Sequence, residues 1–151
     1  MNDKLTRRER SQLMAKVRGH GNKSTELALV IIFRRNKITG WRRNQKIFGK
    51  PDFIFPKLKL AVFVDGCFWH GCPRHGTKPK GNRTFWKKKF ARNLARDRLV
   101  NRTLRRANWR VLRIWEHALR QATIHRATQR RAGKKPQNEA RLLNRLRRAL
   151  H

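Results

Sequence analysis

Two cysteines and two histidines are of residue types that bind a metal ion. Cys67, Cys72 and His75 lie within nine positions of one another, and His117 follows a predicted strand farther along the chain. Zinc prefers thiolate and imidazole ligands and takes four of them in a tetrahedron at structural sites. The sequence therefore predicts a zinc site that clamps an irregular loop from residue 66 to residue 82. The alternative is two ordinary reduced cysteines and a surface histidine.

Three acidic residues are candidates for a second kind of metal site. Asp52 follows a Gly-Lys-Pro turn at the entry to a strand, and Asp65 ends the next strand. Mg²⁺ uses few protein carboxylates and leaves room for phosphate oxygens, which suits phosphodiester hydrolysis. Glu26, in the first turn of a predicted helix, is a third candidate. Each has a bland alternative, because Pro-Asp is common at turns, a strand-end acid accepts hydrogen bonds, and a first-turn acid complements the helix dipole.

Aromatic residues and a histidine lie next to these candidates. Phe68 and Trp69 are in the glycine-flanked loop, and Trp86 follows it. Exposed aromatic side chains beside a basic surface stack on bases or wedge between them, and the alternative is that they pack beneath the loop. His70 is close to both this group and Asp65. It is a candidate general acid or base toward a phosphate, or else it supports the zinc site.

Four segments rich in β-branched and aromatic residues predict the strands that position these side chains. They are Trp41–Phe48, Asp52–Phe55, Leu58–Val64 and Trp109–Trp115. Helical spacing predicts a helix with Ser24 or Thr25 as its N-cap, which carries Leu27, Val30 and Ile31 on one face and stops near Lys37. It also predicts a long helix over residues 85–107. A Thr-x-x-Glu capping box at residues 6–9 starts an earlier helix. The fold class is therefore α/β with one mixed sheet.

The charge of the chain indicates its partner. It has 41 Lys and Arg against 8 Asp and Glu, a net charge of +33 in 151 residues. A surface this basic repels itself unless a polyanion neutralises it, and nucleic acid is the usual one. A ribosomal or nucleoid packing protein is the alternative. The longest apolar run, residues 27–33, is far shorter than the ~18 residues that span a bilayer, so we expect no membrane partner and a cytoplasmic, nucleoid-associated location.

The chain is expected to divide near residue 120. Residues 1–120 contain the predicted sheet and all the candidates above, and residues 121–151 form a basic tail. An amphipathic stretch in that tail, Leu142, Leu143, Leu146 and Ala149, predicts a part that is helical, or disordered until DNA binds.

Several motifs together resemble the very-short-patch-repair mismatch endonucleases. They are GKPDF at residues 49–53, AVFVDGCFWHGC at 61–72, FW at 85–86 with Asn93 and Arg96-Asp97, WRVL at 109–112 and WE at 115–116. The resemblance spans about residues 6–120. It implies a restriction-endonuclease-like fold, a mixed central sheet flanked by helices and a zinc-stabilised loop. It also implies Mg²⁺-dependent nicking of one DNA strand beside a T·G mismatch, by a monomer that has further partners in mismatch repair.

Matching the family position by position assigns roles to the candidates. Asp52 matches its metal-binding aspartate, His70 the histidine that assists the chemistry, and Glu26 the glutamate of the early helix, while the carbonyl of Val64 is a second ligand for Mg²⁺. Phe68, Trp69 and Trp86 fall where the family inserts an aromatic wedge. Cys67 matches a zinc ligand directly. The other zinc ligands of well-known members are spaced differently, and Cys72, His75 and His117 are the candidates that replace them here. Asp65 is either a metal neighbour or a hydrogen-bond acceptor.

Two positions depart from the expected pattern. Cys67 stands where the general nuclease pattern has a lysine, so His70 must take over part of that role. Val64 stands where some members have threonine. Two rival functions therefore stay open: a restriction-type or mobile-element nuclease that cuts matched DNA, and a zinc-stapled nucleic-acid-binding protein without catalysis.

Overall fold

The protein is described by a computed structural model, which covers residues 6, 8–9, 12, 25–76, 79, 81–120 and 137–151. Three α-helices of ten or more residues and three strands make up most of the described ranges, with a 3-10 turn at Pro56–Leu58 and a short helical stretch at residues 116–120. In chain order these helices and strands are α1 (Glu26–Arg35), β1 (Phe53–Phe55), β2 (Leu60–Asp65), α2 (Arg83–Arg106), β3 (Arg110–Trp115) and α3 (Gln137–Leu150). No helix among the described residues is long and apolar enough to cross a membrane.

The strands form one mixed sheet in the order β1-β2-β3. β1 and β2 are antiparallel, with Phe53 opposite Val62. β2 and β3 are parallel, with Leu60 opposite Arg110 and Asp65 opposite Trp115, and α2 makes the long connection that parallel strands require. The expected mixed α/β architecture is confirmed.

The prediction of a strand over Trp41–Phe48 is wrong. Among the described residues, this segment joins the sheet through a single bridge, in which the amides of Arg42 and Ile54 donate to each other's carbonyls at 2.8 and 2.9 Å. Asn44 adopts the left-handed conformation (φ 53°), and so do Gly49 and Lys50. Because a left-handed residue cannot continue a strand, the aromatic content of the segment does not make it extended.

Helices lie on both faces of the sheet. Alternate strand residues, such as Phe53 and Val62, pack with α1 and α3 in one core, whereas Ala61 and Phe63 pack with Val100 of α2 in another. This is the period-two alternation expected of a sheet that is covered on both sides. Gly49 fixes the turn before Asp52 against α2: it has φ +79°, and a Cβ atom there would lie 2.3 Å from a methyl of Val100.

Of the three residues on the predicted apolar face of α1, only Val30 is buried. Leu29, Ile32 and Phe33 are fully buried, whereas Ile31 is 54% exposed and Leu27 is half-buried. The helix is apolar almost all round, so helical spacing alone could not choose which stripe faces the core.

The C-terminal stretch is helical and packs on this core. Leu142, Leu143 and Leu146 of α3 are buried in the same cluster as Phe33, and Arg35 forms an ion pair with the buried Glu139. Of the two alternatives expected for this stretch, the structure has the helical one over Gln137–Leu150. The division of the chain at residue 120 stays a prediction.

At the N-terminus the capping box is confirmed. The amide of Thr6 donates to Glu9 Oε2 at 2.7 Å, and the amide of Glu9 donates to Thr6 Oγ1 at 3.3 Å. The rest of that predicted helix lies outside the described residues, apart from residue 12.

Candidate functional site

The loop from residue 66 to residue 76 leaves the end of β2 and folds into successive tight turns. The amide of His70 donates to the carbonyl of Gly66, and the amide of Cys72 donates to that of Cys67. The amide of Gly76 donates to Cys72 O at 2.8 Å, and a Cβ atom at position 76 would approach that oxygen to 2.5 Å. A glycine is therefore needed where the loop closes on itself.

The four predicted zinc ligands meet in one cluster at this loop. His117 Nδ1 lies 3.3 Å from Cys67 Sγ and 3.5 Å from Cys72 Sγ. His75 Nδ1 lies 3.9 Å from Cys72 Sγ. All four ligand atoms are within 4.8 Å of one another, although His117 comes from the far end of β3.

The three sulfur–nitrogen separations of 3.3, 3.5 and 3.9 Å are close to those of a tetrahedral zinc site. Bond lengths of about 2.3 Å to sulfur and about 2.0–2.1 Å to nitrogen place tetrahedral ligands about 3.4–3.8 Å apart. Burial raises the pKa of the Cys67 thiol. Burial also lowers the pKa of His117, as do the charges of His75 and Arg74. A neutral imidazole keeps the lone pair that a metal ion needs, and a bound cation would favour the thiolate.

A second network lies on the other side of the same loop. His70 Nδ1 is 2.6 Å from an oxygen of Asp97, which comes from α2. The guanidinium of Arg113, on β3, donates to the other Asp97 oxygen at 3.1 Å and to both oxygens of Asp65 at 2.9 and 3.1 Å. Its Nε also donates to Asn101 at 3.1 Å. The network therefore fixes one nitrogen of the His70 ring and positions the whole side chain.

Asp65 acts here as a hydrogen-bond acceptor. Its side chain is only 7% exposed, and His70 Nδ1 is 3.9 Å away. Burial raises the pKa of its carboxyl, and the charges of Arg113 and His70 oppose that shift. Of the two roles considered for Asp65, the contacts are those of an acceptor that holds Arg113 in place.

Asp52 and Val64, the two predicted Mg²⁺ ligands, are adjacent. The amide of Val64 donates to Asp52 Oδ2 at 2.7 Å, which ties the turn before β1 to the end of β2. The carboxylate of Asp52 and the main-chain carbonyl of Val64 are both hard oxygen donors of the kind that Mg²⁺ binds. The residue types at this sheet edge therefore fit a magnesium ion.

Glu26 has a different environment. It is 3% exposed and forms a short ion pair with Arg43 at 2.5 Å. The guanidinium of Arg43 lies 5.6 Å from the ring centre of Phe53, the residue after Asp52. Glu26 is thus linked to β1, and a buried ion pair is added to the helix-dipole role as a structural explanation for it.

The three predicted wedge residues form one aromatic cluster. The ring of Phe68 lies 4.9 Å from that of Trp69 and 5.3 Å from that of Trp86, and Phe90 packs against Phe68 at 5.5 Å. Asn93 donates to the carbonyl of Trp69 at 2.9 Å. Trp86 is 8% exposed, whereas Phe68 and Trp69 are half-buried. Without DNA the cluster is therefore packed together at the surface of α2.

Asp97, Arg113 and Phe90 were not identified as functional from the sequence, and neither was Asn101. Asp97 carried a signal, since it is the only acid in the long basic helix, yet its partner was unknown. Arg113 also carried one, because it interrupts an otherwise apolar run in β3. Phe90 had none beyond its aromatic character.

Comparisons with known proteins agree with one another. The family model described as "DNA mismatch endonuclease Vsr" matches residues 2–75. "Type II nicking enzyme V.NmeDIP" of Neisseria meningitidis serogroup C is 43% identical over 117 residues, which cover 76% of this chain and 78% of that protein.

Two further relatives match shorter stretches. "Type II nicking enzyme V.NaeI" of Lentzea aerocolonigenes is 57% identical over 68 residues, 45% of this chain and 41% of that protein. "DNA mismatch endonuclease Vsr" of Escherichia coli K12 is 41% identical over 73 residues, 48% of this chain and 47% of that protein. In both, the chain spans less than half the length of the relative.

Proposed function

The chain belongs to the DNA mismatch endonuclease Vsr family, and we propose that it is a Mg²⁺-dependent DNA endonuclease that nicks one strand beside a T·G mismatch. The family implies a restriction-endonuclease-like core. The net charge of +33 suits a duplex DNA substrate. The alternatives are a nuclease that cuts matched DNA and a binding protein without catalysis.

The observation that carries this proposal is the contact between His70 and Asp97. With Nδ1 held at 2.6 Å from a carboxylate oxygen, the imidazole places its proton on that nitrogen. Nε2 is then the atom that exchanges a proton with water or with the leaving oxygen of a phosphodiester. Arg113 holds Asp97 from the far side, so the ring keeps one orientation.

Asp52 and the Val64 carbonyl would hold the magnesium ion. When bound there, such an ion would supply positive charge against the charge that develops on the scissile phosphate. Asp52 is held in place by the Val64 amide. Glu26, by the family resemblance, would orient the attacking water. The proposed ligands would then lie where the turn before β1 meets the end of β2, and Val64 is six positions before His70.

The Cys67, Cys72, His75 and His117 cluster would hold a structural zinc ion. Such an ion ties the loop that carries His70 to the end of β3. Its contribution is therefore to keep His70 in position, and it takes no part in the reaction.

The aromatic cluster and the basic helix α2 would bind the duplex. Phe68, Trp69 and Trp86 would insert beside the mismatch, and a mispaired step costs less to unstack than a matched one. Since Trp86 is buried in the free protein, insertion needs Phe68 and Trp69 to move first. The arginines and lysines of α2 would bind phosphates. Such contacts fix the position of the protein along the duplex but do not recognise the base sequence.

The test is a nicking assay on two end-labelled duplexes that differ only by one T·G mismatch, with and without Mg²⁺. Moderate salt suppresses non-specific coating of the DNA by this basic protein. The proposal predicts Mg²⁺-dependent nicking of the thymine strand in the mismatched duplex alone. Equal nicking of both duplexes would favour a nuclease for matched DNA. Tight binding without nicking would favour a binding protein. An Asp52→Asn protein purified in parallel controls for contaminating nuclease.

A further inference from the structure

A basic cleft opens between the loop of residues 66–76 and helix α3. Its volume is about 310 Å³. Its walls carry three arginines from two separate parts of the chain, namely Arg74 of the loop with Arg141 and Arg145 of α3. Trp115 and Leu142 contribute apolar surface. The cleft therefore combines three guanidinium groups with a packed floor.

The three guanidinium groups are not neutralised. Among the described residues, none of Arg74, Arg141 and Arg145 forms an ion pair with a carboxylate. The acid of α3, Glu139, is buried and paired with Arg35. Glu116, next to Trp115 in sequence, accepts from the Cys67 amide at 3.4 Å. The acids nearest in sequence thus have other partners, and the cleft keeps its positive charge.

Helix α3 is held firmly enough to fix this geometry. Leu142, Leu143 and Leu146 are each 4% exposed or less. Arg145 Nη2 donates to the carbonyl of Arg113 at 3.0 Å, so the helix contacts the same strand residue that holds Asp97. The cleft is therefore connected to the proposed catalytic network by one residue of β3.

We propose that Arg74, Arg141 and Arg145 form a binding site for backbone phosphates of the duplex, and that α3 is part of the DNA-binding surface. Arginine suits this ligand because its planar fork of donors matches phosphate oxygens. Residues 2–75 match the family model, so α3 lies outside the matched part. The proposal rests on the proposed function in that it takes DNA as the substrate.

The test measures binding of a labelled, fully matched duplex by fluorescence anisotropy over a range of salt concentrations, without Mg²⁺. The test variant is Arg141→Gln/Arg145→Gln. The matched control is Arg147→Gln/Arg148→Gln, which removes the same two charges from exposed positions of the same helix. Each phosphate contact contributes ~0.9 to the slope of log K against log salt. We expect the test variant to lose ~1–2 from that slope and the control to lose less than half as much.

Equal changes in the two double variants, or no change in either, would overturn the proposal. Because Arg145→Gln removes a contact to β3, single variants Arg74→Gln and Arg141→Gln provide a second reading, with a slope reduced by ~0.9 in each. Unchanged slopes in both single variants would also overturn it. Wild-type nicking is measured separately. If the variants show the expected slope changes but the wild type never nicks, the proposed function alone is contradicted. If the wild type nicks normally but the two double variants change the slope equally, the phosphate site alone is contradicted.

Discussion

The loop from residue 66 to residue 76 has two sides with different partners. On one side, Nδ1 of His117 lies 3.3 and 3.5 Å from two cysteine sulfurs. On the other side, Nδ1 of His70 lies 2.6 Å from a carboxylate oxygen of Asp97. Residues of the same type, at the same loop, therefore meet a set of metal-binding atoms in one case and a single acid in the other.

The difference shows that the partner decides what a histidine can do. An imidazole whose lone pair points at thiols in a tetrahedral arrangement is suited to hold a metal ion. An imidazole whose Nδ1–H is held by a carboxylate keeps its other nitrogen for proton transfer. We therefore expect the sulfur side to govern the stability of the loop and the carboxylate side to govern the reaction.

The largest effect is expected from Cys72→Ser, because this substitution removes one of the four candidate zinc ligands. Cys72 is 3% exposed and lies near both His75 and His117. Serine is a poor zinc ligand, so the protein should lose its bound zinc, unfold at a lower temperature and stop nicking. Metal analysis and a thermal melt check this prediction.

A chelator applied to the wild-type protein is the control for this variant. It should give the same losses, and added Zn²⁺ should restore the wild type but not the variant. Metal binding also releases protons, so zinc should be retained at neutral pH and lost as the pH falls and thiolates are protonated. A Cys72→Ser protein with full zinc content would contradict the assignment.

Asp52→Asn breaks the proposed magnesium site and leaves the loop intact. Asparagine can still accept from the Val64 amide, so the fold should be kept. Loss of a charged ligand should reduce the nicking rate by about 10³-fold, since one metal contributes several kcal/mol to the transition state. The rate should also stop rising with Mg²⁺ concentration. A variant that responds to Mg²⁺ like the wild type would mean that the ion binds elsewhere.

Asp97→Asn tests the contact between His70 and Asp97 without changing the cysteines and histidines of the zinc cluster. It keeps the shape of the side chain but removes the charge that faces both His70 and Arg113. A weaker acceptor orients the ring less well, and we expect nicking to fall ~10- to 100-fold. Zinc content should equal that of the wild type. If zinc is lost as well, the two sides of the loop are not separable.

The smallest effect is expected from a pair of matched buried acids. Glu26 and Glu139 are 3% and 4% exposed, and each forms an ion pair with one arginine. Glu→Gln at either position should lower the free energy of unfolding by ~1–3 kcal/mol, because a charge-assisted hydrogen bond is weakened. Only Glu26→Gln should also reduce nicking, by about 10-fold. Equal nicking by the two variants would leave Glu26 with a structural role alone.

Much of the fold could be predicted from the sequence, because local patterns determine it. The strands β1, β2 and β3 and the long helix α2 were each found to within about two residues, since apolar runs and breakers mark them. The strand predicted over Trp41–Phe48 is wrong because three residues in and just after this segment have a left-handed backbone, which an extended strand cannot include. The aromatic content of the segment does not reveal them. The prediction of which face of α1 is buried was mostly wrong because both sides of that helix are apolar.

The sequence indicated candidate residues for the site better than it indicated which of them contact one another. Cys67, Cys72, His75 and His117 have residue types that imply a metal, and the structure brings their ligand atoms within 4.8 Å. The pairing of His70 with Asp97 spans 27 positions. The pairing of Arg113 with Asp65 spans 48. Contacts of this length depend on how α2 and β3 pack, so sequence spacing could not predict them.

The separation of the two sides is tested most directly by His70→Ala. The zinc content and the nicking rate on a T·G duplex are measured on the same preparation. We predict one zinc ion per chain, as in the wild type, and a nicking rate lower by ~10²–10⁴-fold. Loss of zinc would contradict this prediction, and so would wild-type nicking by a protein that lacks this imidazole.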